Sequence, residues 1–543
     1  SLADNENIQY ICNHNEQAAA MAADGYSRVS GNIGVAITTS GPGATNLITG
    51  ICCSYYDSVP SLFITGQVST FRMKGDTGVR QIGFQETPIV DVVKSITKYA
   101  YTINHPSEIK YQIQKALHIA RSGRPGPVLI DIPDDLQRVN IESSLLKNFQ
   151  PDIEQEKGKL TDTILNIMSM IKKSKRPVII AGWGIHLSKT QSDFIKFAED
   201  LNLPIALTWG AADLISFDHE LYIGTFGTHG NRHANFAVQN ADLIISFGSR
   251  LDTKSTGSPV NTFARKAKRI MVEIDINELN KFKKFDLKFD KLIHCDLKDF
   301  FDEVQKINIQ KFFNKHDDWV NQINQWQEAF NAFDDRKNLS TSQVNPYNFV
   351  DRISDNLKEN SKVFIDTGCS IAWFMQSIRT PKTVRVFHDF NNTAMGWALP
   401  ASIGGYYADL GKSPIITIVG DGGFMMTSYE LATAMHNNIP LKIFIMNNQG
   451  YSMIQQTQDQ WLDSNYYASS KQGGISFPDF QKLSKAYNFK YFELKDDSDL
   501  HLVEEIFAYP KALICNVFID NDFRVTPQVK FGRPNEDMGP LLP

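Results

Sequence analysis

The stretches PIITIVGDGG (414–423) and LKIFIMNNQG (441–450) decide how this chain is read. Each opens on a run of apolar residues and closes on a polar, glycine-containing turn. Strands covered by helices on both faces of a parallel sheet read as such continuous runs. Gly420-Asp421-Gly422 and Asn447-Asn448 are separated by 24 residues, which places both at the carboxyl ends of strands. Open α/β sheets bind their ligands at that edge. Asp421 is a hard oxygen ligand, Asn448 adds an amide oxygen, and Gly450 adds a backbone carbonyl. Magnesium suits this set, with phosphate oxygens and water completing it. Gly422 and Gly423 would let backbone amides approach a diphosphate, and a helix after Gly423 would aim its amino end at it. Either turn alone is a common signal with no ligand; the spacing and the strand context together favour a site.

Working outward, three segments alternate strand-like and helix-like patterns, which implies an α/β fold of three tandem doubly wound parallel-sheet domains. The first is expected over 1–138, with an apolar run at Ile33–Ile37 and the short strands SLFITG and PVLIDIP. A polar linker follows at 139–159. The central domain is expected over 160–305, on the strands PVIIAG, PIALT, DLIISFG and RIMVEID. A helical linker spans 306–343. The third domain is expected over 344–520, with KVFID and ALICNVFID beside the two opening stretches, and an irregular tail occupies 521–543. The chain enters almost directly into IQYIC, read as a strand, without the helix and strand expected before it. The numbering is therefore expected to begin inside a longer chain.

At 543 residues the chain is too long for one core. Its 42 % hydrophobic and 21 % charged content is that of a globular protein. A net charge of -5 implies neither a nucleic-acid nor a membrane-surface partner, and no apolar run is long enough to span a bilayer. The six cysteines show no metal or redox spacing. They read as buried free thiols, which points to the cytoplasm.

With GDG…NN, further stretches resemble the thiamine-diphosphate (ThDP) enzymes, and most closely the acetohydroxyacid (acetolactate) synthase branch. NHNEQAAAMAADGYSR (13–28) resembles the segment carrying that family's catalytic glutamate, and TSGPGATN (39–46) its first-domain loop. GFQE (83–86) and GRPGPVLIDIP (123–133) match synthase segments, and AMGWALPASIGG (394–405) resembles the segment supporting the pyrimidine ring. The resemblance implies pyrimidine-binding, central and diphosphate-binding domains in that order. It also implies a homodimer or homotetramer, in which the glutamate of one subunit reaches cofactor held by the other. Glu16 would then hydrogen-bond the pyrimidine nitrogen. Flanked by apolar IQYIC and AAAMAA, it should be partly desolvated, which raises a carboxyl pKa. A helix N-terminal acid favoured by the dipole is the plainer alternative. Met395 would be the apolar wedge beneath the bent cofactor, or else core filler. Gly368, Cys369 and Ser370 would meet the diphosphate. Phe84 and Gln85 would line the reacting carbons, unless Phe84 is simply core.

AGWG (181–184), GTFGTHGN (224–231), FGSRLD (247–252) and VEIDINELNK (272–281) resemble the flavin-binding stretches of the synthases. Gly182 and Gly184 could admit a pyrophosphate, Arg250 could pair with a phosphate, and Asp275 could hold a ribose hydroxyl. FAD is expected, although the family also has members whose central domain is empty or holds another nucleotide. Three departures matter. Synthases carry tryptophan where this chain has Thr457, and commonly lysine where it has Asp134. Their RFDDRVTG-like stretch is here RLDTKSTG (250–257). A roomier, differently charged acceptor pocket is expected. The tail GRPNEDMGPLLP (532–543) resembles that of synthase-like proteins of surface-sugar biosynthesis, among them the yersiniose-type carboligase. The expected activity is a carboligase taking pyruvate and a carbonyl acceptor, possible acceptors including a nucleotide-linked keto-sugar. Acetolactate synthase and a non-ligating 2-oxo acid decarboxylase are the alternatives.

Overall fold

The computed structural model describes residues 2–151, 160–330, 336, 339 and 341–542. Three parallel sheets follow one another along the chain. The first holds β1 (Gly34–Thr38), β2 (Ser61–Gln67), β3 (Tyr99–Thr102) and β4 (Val128–Pro133), in the order β1-β2-β4-β3. The second holds β5 (Pro177–Ala181), β6 (Ile205–Leu207), β7 (Tyr222–Thr225), β8 (Leu243–Phe247), β9 (Lys268–Glu273) and β10 (Lys291–His294), in the order β10-β9-β8-β5-β6-β7. The third holds β11 (Lys362–Ile365), β12 (Arg385–Phe387), β13 (Ile415–Gly420), β14 (Lys442–Asn447), β15 (Lys490–Leu494) and β16 (Leu513–Phe518), in the order β12-β11-β13-β14-β16-β15.

The central strands are the continuous apolar runs. β5, β8 and β14 are buried at every position, as strands covered on both faces must be. Their side chains enter separate cores above and below each sheet. Five strands that the sequence did not announce, β3, β7, β10, β12 and β15, all lie at sheet edges. An edge strand needs only one buried side, so its apolar signal is short or interrupted.

Four expectations need correction. Residues 8–12 form no strand; Ile8 and Tyr10 are exposed, and among the described residues no strand pairs with them. The cysteines are all free, but only Cys53, Cys369 and Cys515 are buried, and Cys12 is exposed. In the expected linker 306–343, helix Asp317–Ala329 buries Trp319 and Ile323 in the central-domain core, so it belongs to that domain. The tail is ordered rather than irregular: Gln528–Val529 pairs antiparallel with Met538–Gly539. Arg232 of the central domain donates to the carbonyls of Met538 and Pro540. Residues 152–159 of the first linker, and 331–335, 337, 338 and 340 of the second, lie outside the described residues.

The first and third domains meet backbone to backbone. Helix Glu16–Ser30 crosses helix Ala398–Ala408. A Cβ on Gly25 would stand 2.2 Å from the Ala401 carbonyl oxygen, and one on Gly404 1.9 Å from that of Ala22. Beside the crossing, buried Arg28 pairs with Asp24 at 2.6 Å and Asp57 at 2.9 Å and donates to the His388 carbonyl. Among the described residues, no helix is long and apolar enough to cross a membrane.

Candidate functional site

The register of the third sheet brings the two opening stretches side by side. β13 pairs with β14 from Ile416↔Lys442 to Gly420↔Met446, so Asp421 and Asn447 leave the sheet next to each other. Helix Asp421–Thr427 starts at once, three residues earlier than expected, with Gly420 at its cap. The Asp421 side chain is buried, and its oxygens accept from Gly422 N at 2.7 Å and Gly450 N at 3.3 Å. Asn448 Oδ1 converges on the same Gly450 N–H at 3.1 Å. Asn448 is itself held from behind: its Nδ2 donates to Ser452 Oγ at 2.6 Å, and its carbonyl accepts from Asn521 at 2.7 Å.

Burial pushes the Asp421 carboxyl up to about 7, against the pull of the surrounding amides. Among the described residues no basic side chain forms an ion pair with it. A buried carboxylate held by backbone amides alone is costly unless a cation joins it. The oxygens brought together are the Asp421 carboxylate and the Asn448 amide oxygen, hard donors of the kind magnesium takes; at Gly450 it is the N–H that meets them. No group of three or more His, Cys, Asp or Glu among the described residues could hold a metal instead.

Around this set stand the residues expected to meet a diphosphate. Gly368 has φ +96°, which glycine alone adopts readily, and nothing lies within 4 Å of where its Cβ would be. It caps helix Cys369–Ser377, whose first amides have no side-chain cap and so remain available to an anion. Ser370 faces the loop across from Gly420, its Oγ 4.0 Å from the Gly420 Cβ position. Burial pushes the Cys369 thiol up to about 12, so this cysteine is no nucleophile. At Gly422 and Gly423 the reason for glycine differs from the expected one. Their Cβ positions fall 2.2 Å from the Tyr451 ring and 2.9 Å from Asp366 Oδ1; the space is taken by protein. Met395 packs against Gly422, its Cε 3.0 Å from that Cβ position, and is half-buried.

Asp366 was missed in the sequence. It is buried, and its oxygens accept from the amides of Thr367 at 3.0 Å, Gly396 at 3.1 Å and Ala398 at 3.0 Å. It thus pins the segment containing Met395 to the end of β11. Its only sequence signal was an acid at a strand end.

A second cluster forms in the first domain. Glu16 is the first residue of its helix, with Asn15 as N-cap, and is half-buried. Its Oε2 accepts from Asn46 Nδ2 at 3.0 Å, and its Oε1 lies 3.4 Å from the Gly43 Cβ position. The glutamate and the TSGPGATN loop are therefore one unit. Gln85, at φ +64°, abuts Gly41 of that loop. Phe84 is 86 % exposed, which rules out the core alternative. Glu86 fastens the GFQE turn by accepting from the amides of Lys74, Ile82 and Gly83. Among the described residues no hydrogen bond or ion pair joins Glu16 to the Asp421 set.

A cleft of about 1200 Å³, counting its open mouth, lies where the central domain meets the first and third. Trp183, Trp209, Phe226 and Phe390 supply aromatic walls, and Arg121, Arg124, Arg250 and Lys254 supply positive charge. Gly184 and Arg250 line it; Gly182 and Asp275 do not. Gly182 and Gly184 are glycines because their Cβ positions fall 2.3 Å and 2.7 Å from Gly248 backbone atoms, so they leave no cradle of their own. Asp275 caps a short helix and pairs with Arg124 at 3.0 Å. Arg124, Arg250 and Lys281 all bond Glu278. Asp57, Asp252, Glu273 and Asp296 line it as well, so the basic residues are balanced by acids; the aromatic walls suit a planar ring.

Of the two departures in the acceptor region, Asp134 pairs with Arg138 and accepts from Ser69 at 3.3 Å. Its charge is compensated locally, which weakens the expectation of a differently charged pocket. Thr457 is exposed on helix Ser452–Trp461, directly after the metal set, and bonds only back to Met453. Ile454 and Trp461, also exposed, share its face. Trp461 meets Phe531 of the tail edge to face at 5.6 Å.

Two parallel-sheet domains with half-sites for a diphosphate and its activating acid define a ThDP enzyme. Family models agree: residues 1–92 match the thiamine pyrophosphate enzyme N-terminal TPP binding domain, 164–303 the central domain, and 366–517 the C-terminal TPP binding domain. The chain belongs to the acetolactate-synthase-like thiamine-diphosphate enzymes. It is 32 % identical over 536 residues to the acetolactate synthase large subunit of Lactococcus lactis, covering 98 % of this chain and 89 % of that one. To a probable acetolactate synthase large subunit of Methanococcus aeolicus it is 32 % identical, covering 95 % and 86 %. To acetolactate synthase 2, chloroplastic, of Zea mays it is 30 % identical, covering 97 % and 82 %.

Proposed function

We propose that this ThDP-dependent carboligase decarboxylates pyruvate and joins the two-carbon unit to a large carbonyl acceptor, a nucleotide-linked keto-sugar. The observation that carries the choice of acceptor is the exposed face Ile454–Thr457–Trp461. It runs for about 10 Å, seven helical rises, on the helix that follows the metal set, with no indole at position 457 to close it. Acetolactate synthase proper is the second reading, favoured by the names of the relatives.

Bound ThDP would supply the electron sink that lets carbon dioxide leave pyruvate and keeps the two-carbon unit reactive toward a second carbonyl. In this reading Asp421, Asn448 and the Gly450 carbonyl hold magnesium against the diphosphate, with the Gly368–Ser370 turn on its other side. Met395 supports the bent cofactor. Glu16 shares a proton with the pyrimidine nitrogen, while Phe84 and Gln85 shield the reacting carbons from water. The resemblance to the synthases supports a working unit of at least a homodimer, with Glu16 serving the neighbouring subunit's cofactor. The six free cysteines support a reducing compartment, the cytoplasm.

Thr457→Trp tests the acceptor. A sugar nucleotide would not pass an added indole, whereas one apolar contact changes small-acceptor discrimination by only about 1–3 kcal/mol. The variant is expected to lose the large-acceptor product, keep releasing carbon dioxide, and raise acetolactate. Product ratios by mass spectrometry, with pyruvate alone and with keto-sugars, decide it. Wild type making acetolactate efficiently while ignoring every keto-sugar would replace this reading with the synthase.

The central cleft is assigned to FAD on its aromatic walls and on Arg250. Protein purified mildly, or reconstituted, is expected to be yellow. Losing a charged hydrogen bond of about 1.5–3 kcal/mol in Arg250→Ala should weaken flavin roughly tenfold or more. Protein that takes up no flavin at micromolar FAD and stays fully active would refute the assignment.

A further inference from the structure

Glu430 is fully buried, and nothing described so far employs it. It ends the short turn Ser428–Glu430, which directly follows the helix opened by Asp421. Its Oε1 accepts from His14 N at 2.9 Å and Asn15 N at 3.2 Å. Its Oε2 accepts from Asn13 Nδ2 at 2.9 Å and Thr433 Oγ1 at 2.6 Å. Three of these four donors belong to the triplet that immediately precedes Glu16. The third-domain carboxylate therefore grips the first domain at the point where the Glu16 helix begins.

We infer that Glu430 is a positioning residue for Glu16, fixing the origin of its helix and hence the direction of its carboxylate. Asn15 is the bridge: its amide donates to Glu430 while its side chain caps the helix by accepting from Gln17 N at 2.8 Å. Upstream, residues 5–10 are exposed. Burying a carboxylate is expensive unless its oxygens are fully bonded, and here all four bonds are spent on one loop and one neighbouring hydroxyl. Such an arrangement specifies a geometry more than it adds stability. The inference rests on the reading of Glu16 as the residue that shares a proton with the cofactor.

The test uses the full chain with ThDP and magnesium. It compares hydrogen–deuterium exchange at C2 of bound ThDP, read by quenched NMR, with ThDP affinity from calorimetry. Glu430→Ala is expected to slow C2 exchange about 10²-fold, as misplacement of a reacting group by about 1 Å does, while ThDP affinity stays near wild type. Glu430→Gln keeps one oxygen for the two backbone donors and should recover most of the rate. Asn13→Ala should slow it mildly in the same direction. In cofactor-free protein, backbone amide exchange at His14 and Asn15 should accelerate in Glu430→Ala and be restored in Glu430→Gln. Wild-type C2 exchange in Glu430→Ala overturns the inference while Glu16→Gln, run alongside, still shows slow exchange. Fast exchange in Glu16→Gln itself removes the reading of Glu16 and this inference with it. Should Glu430→Ala not fold, unchanged exchange in Asn13→Ala together with no defect in Glu430→Gln overturns it equally.

Discussion

Asp421→Ala is expected to abolish productive ThDP binding rather than to slow the chemistry. The side chain is buried, held by the amides of Gly422 and Gly450, and among the described residues no basic side chain forms an ion pair with it. Removing it leaves a divalent ion without its one anionic protein ligand and the diphosphate without full compensation. Breaking a buried charge pair costs about 3–5 kcal/mol, so affinity should fall by roughly 10² to 10³-fold. Calorimetric titration with ThDP in excess magnesium measures this directly. Unchanged binding with lost turnover would show that the metal sits elsewhere.

The second large effect belongs to Glu16. Glu16→Gln preserves the shape that Asn46 holds at 3.0 Å and leaves the helix cap at Asn15 untouched. What it removes is a group able to share a proton with the pyrimidine nitrogen. General acid–base contributions run about 10² to 10⁴-fold, and turnover should fall by that amount while folding and ThDP affinity persist. A purified variant turning over at the wild-type rate would remove Glu16 from the chemistry.

The parts of the fold that sequence revealed are those where local and tertiary demands coincide. Strands such as β5 and β14 are apolar at each position because both their faces are covered. KYFEL in β15 and YAYT in β3 are only half-buried, and carry tyrosine, lysine and glutamate that suit an edge. β1 is also an edge, yet it was legible because Val35 and Ile37 are apolar although exposed. IQYIC misled for the opposite reason: its composition suits a strand, but among the described residues no strand pairs with it.

The candidate site divides in the same way. Asp421, Asn448 and Gly450 were legible because each stands where a strand ends, and the helix between them sets a fixed spacing. Asp366 and Glu430 act through partners 30 and more than 400 positions away, and no local pattern records such a bond. The glycines of the central domain were legible as glycines but not in their purpose. What crowds Gly182 is the backbone of Gly248, more than sixty residues along the chain.

The crossing of Gly25 over Ala401 and of Gly404 over Ala22 also governs how this protein can be recombined with its relatives. Two helices that touch through their backbones are tuned to each other at the level of single atoms. A chimera that exchanged the first domain at its linker would separate helix Glu16–Ser30 from the helix it was shaped against. One methyl group too many at either contact would wedge the domains apart. A workable exchange must therefore carry residues 16–30 and 398–408 together, although nearly four hundred positions separate them and any conventional splice point would part them.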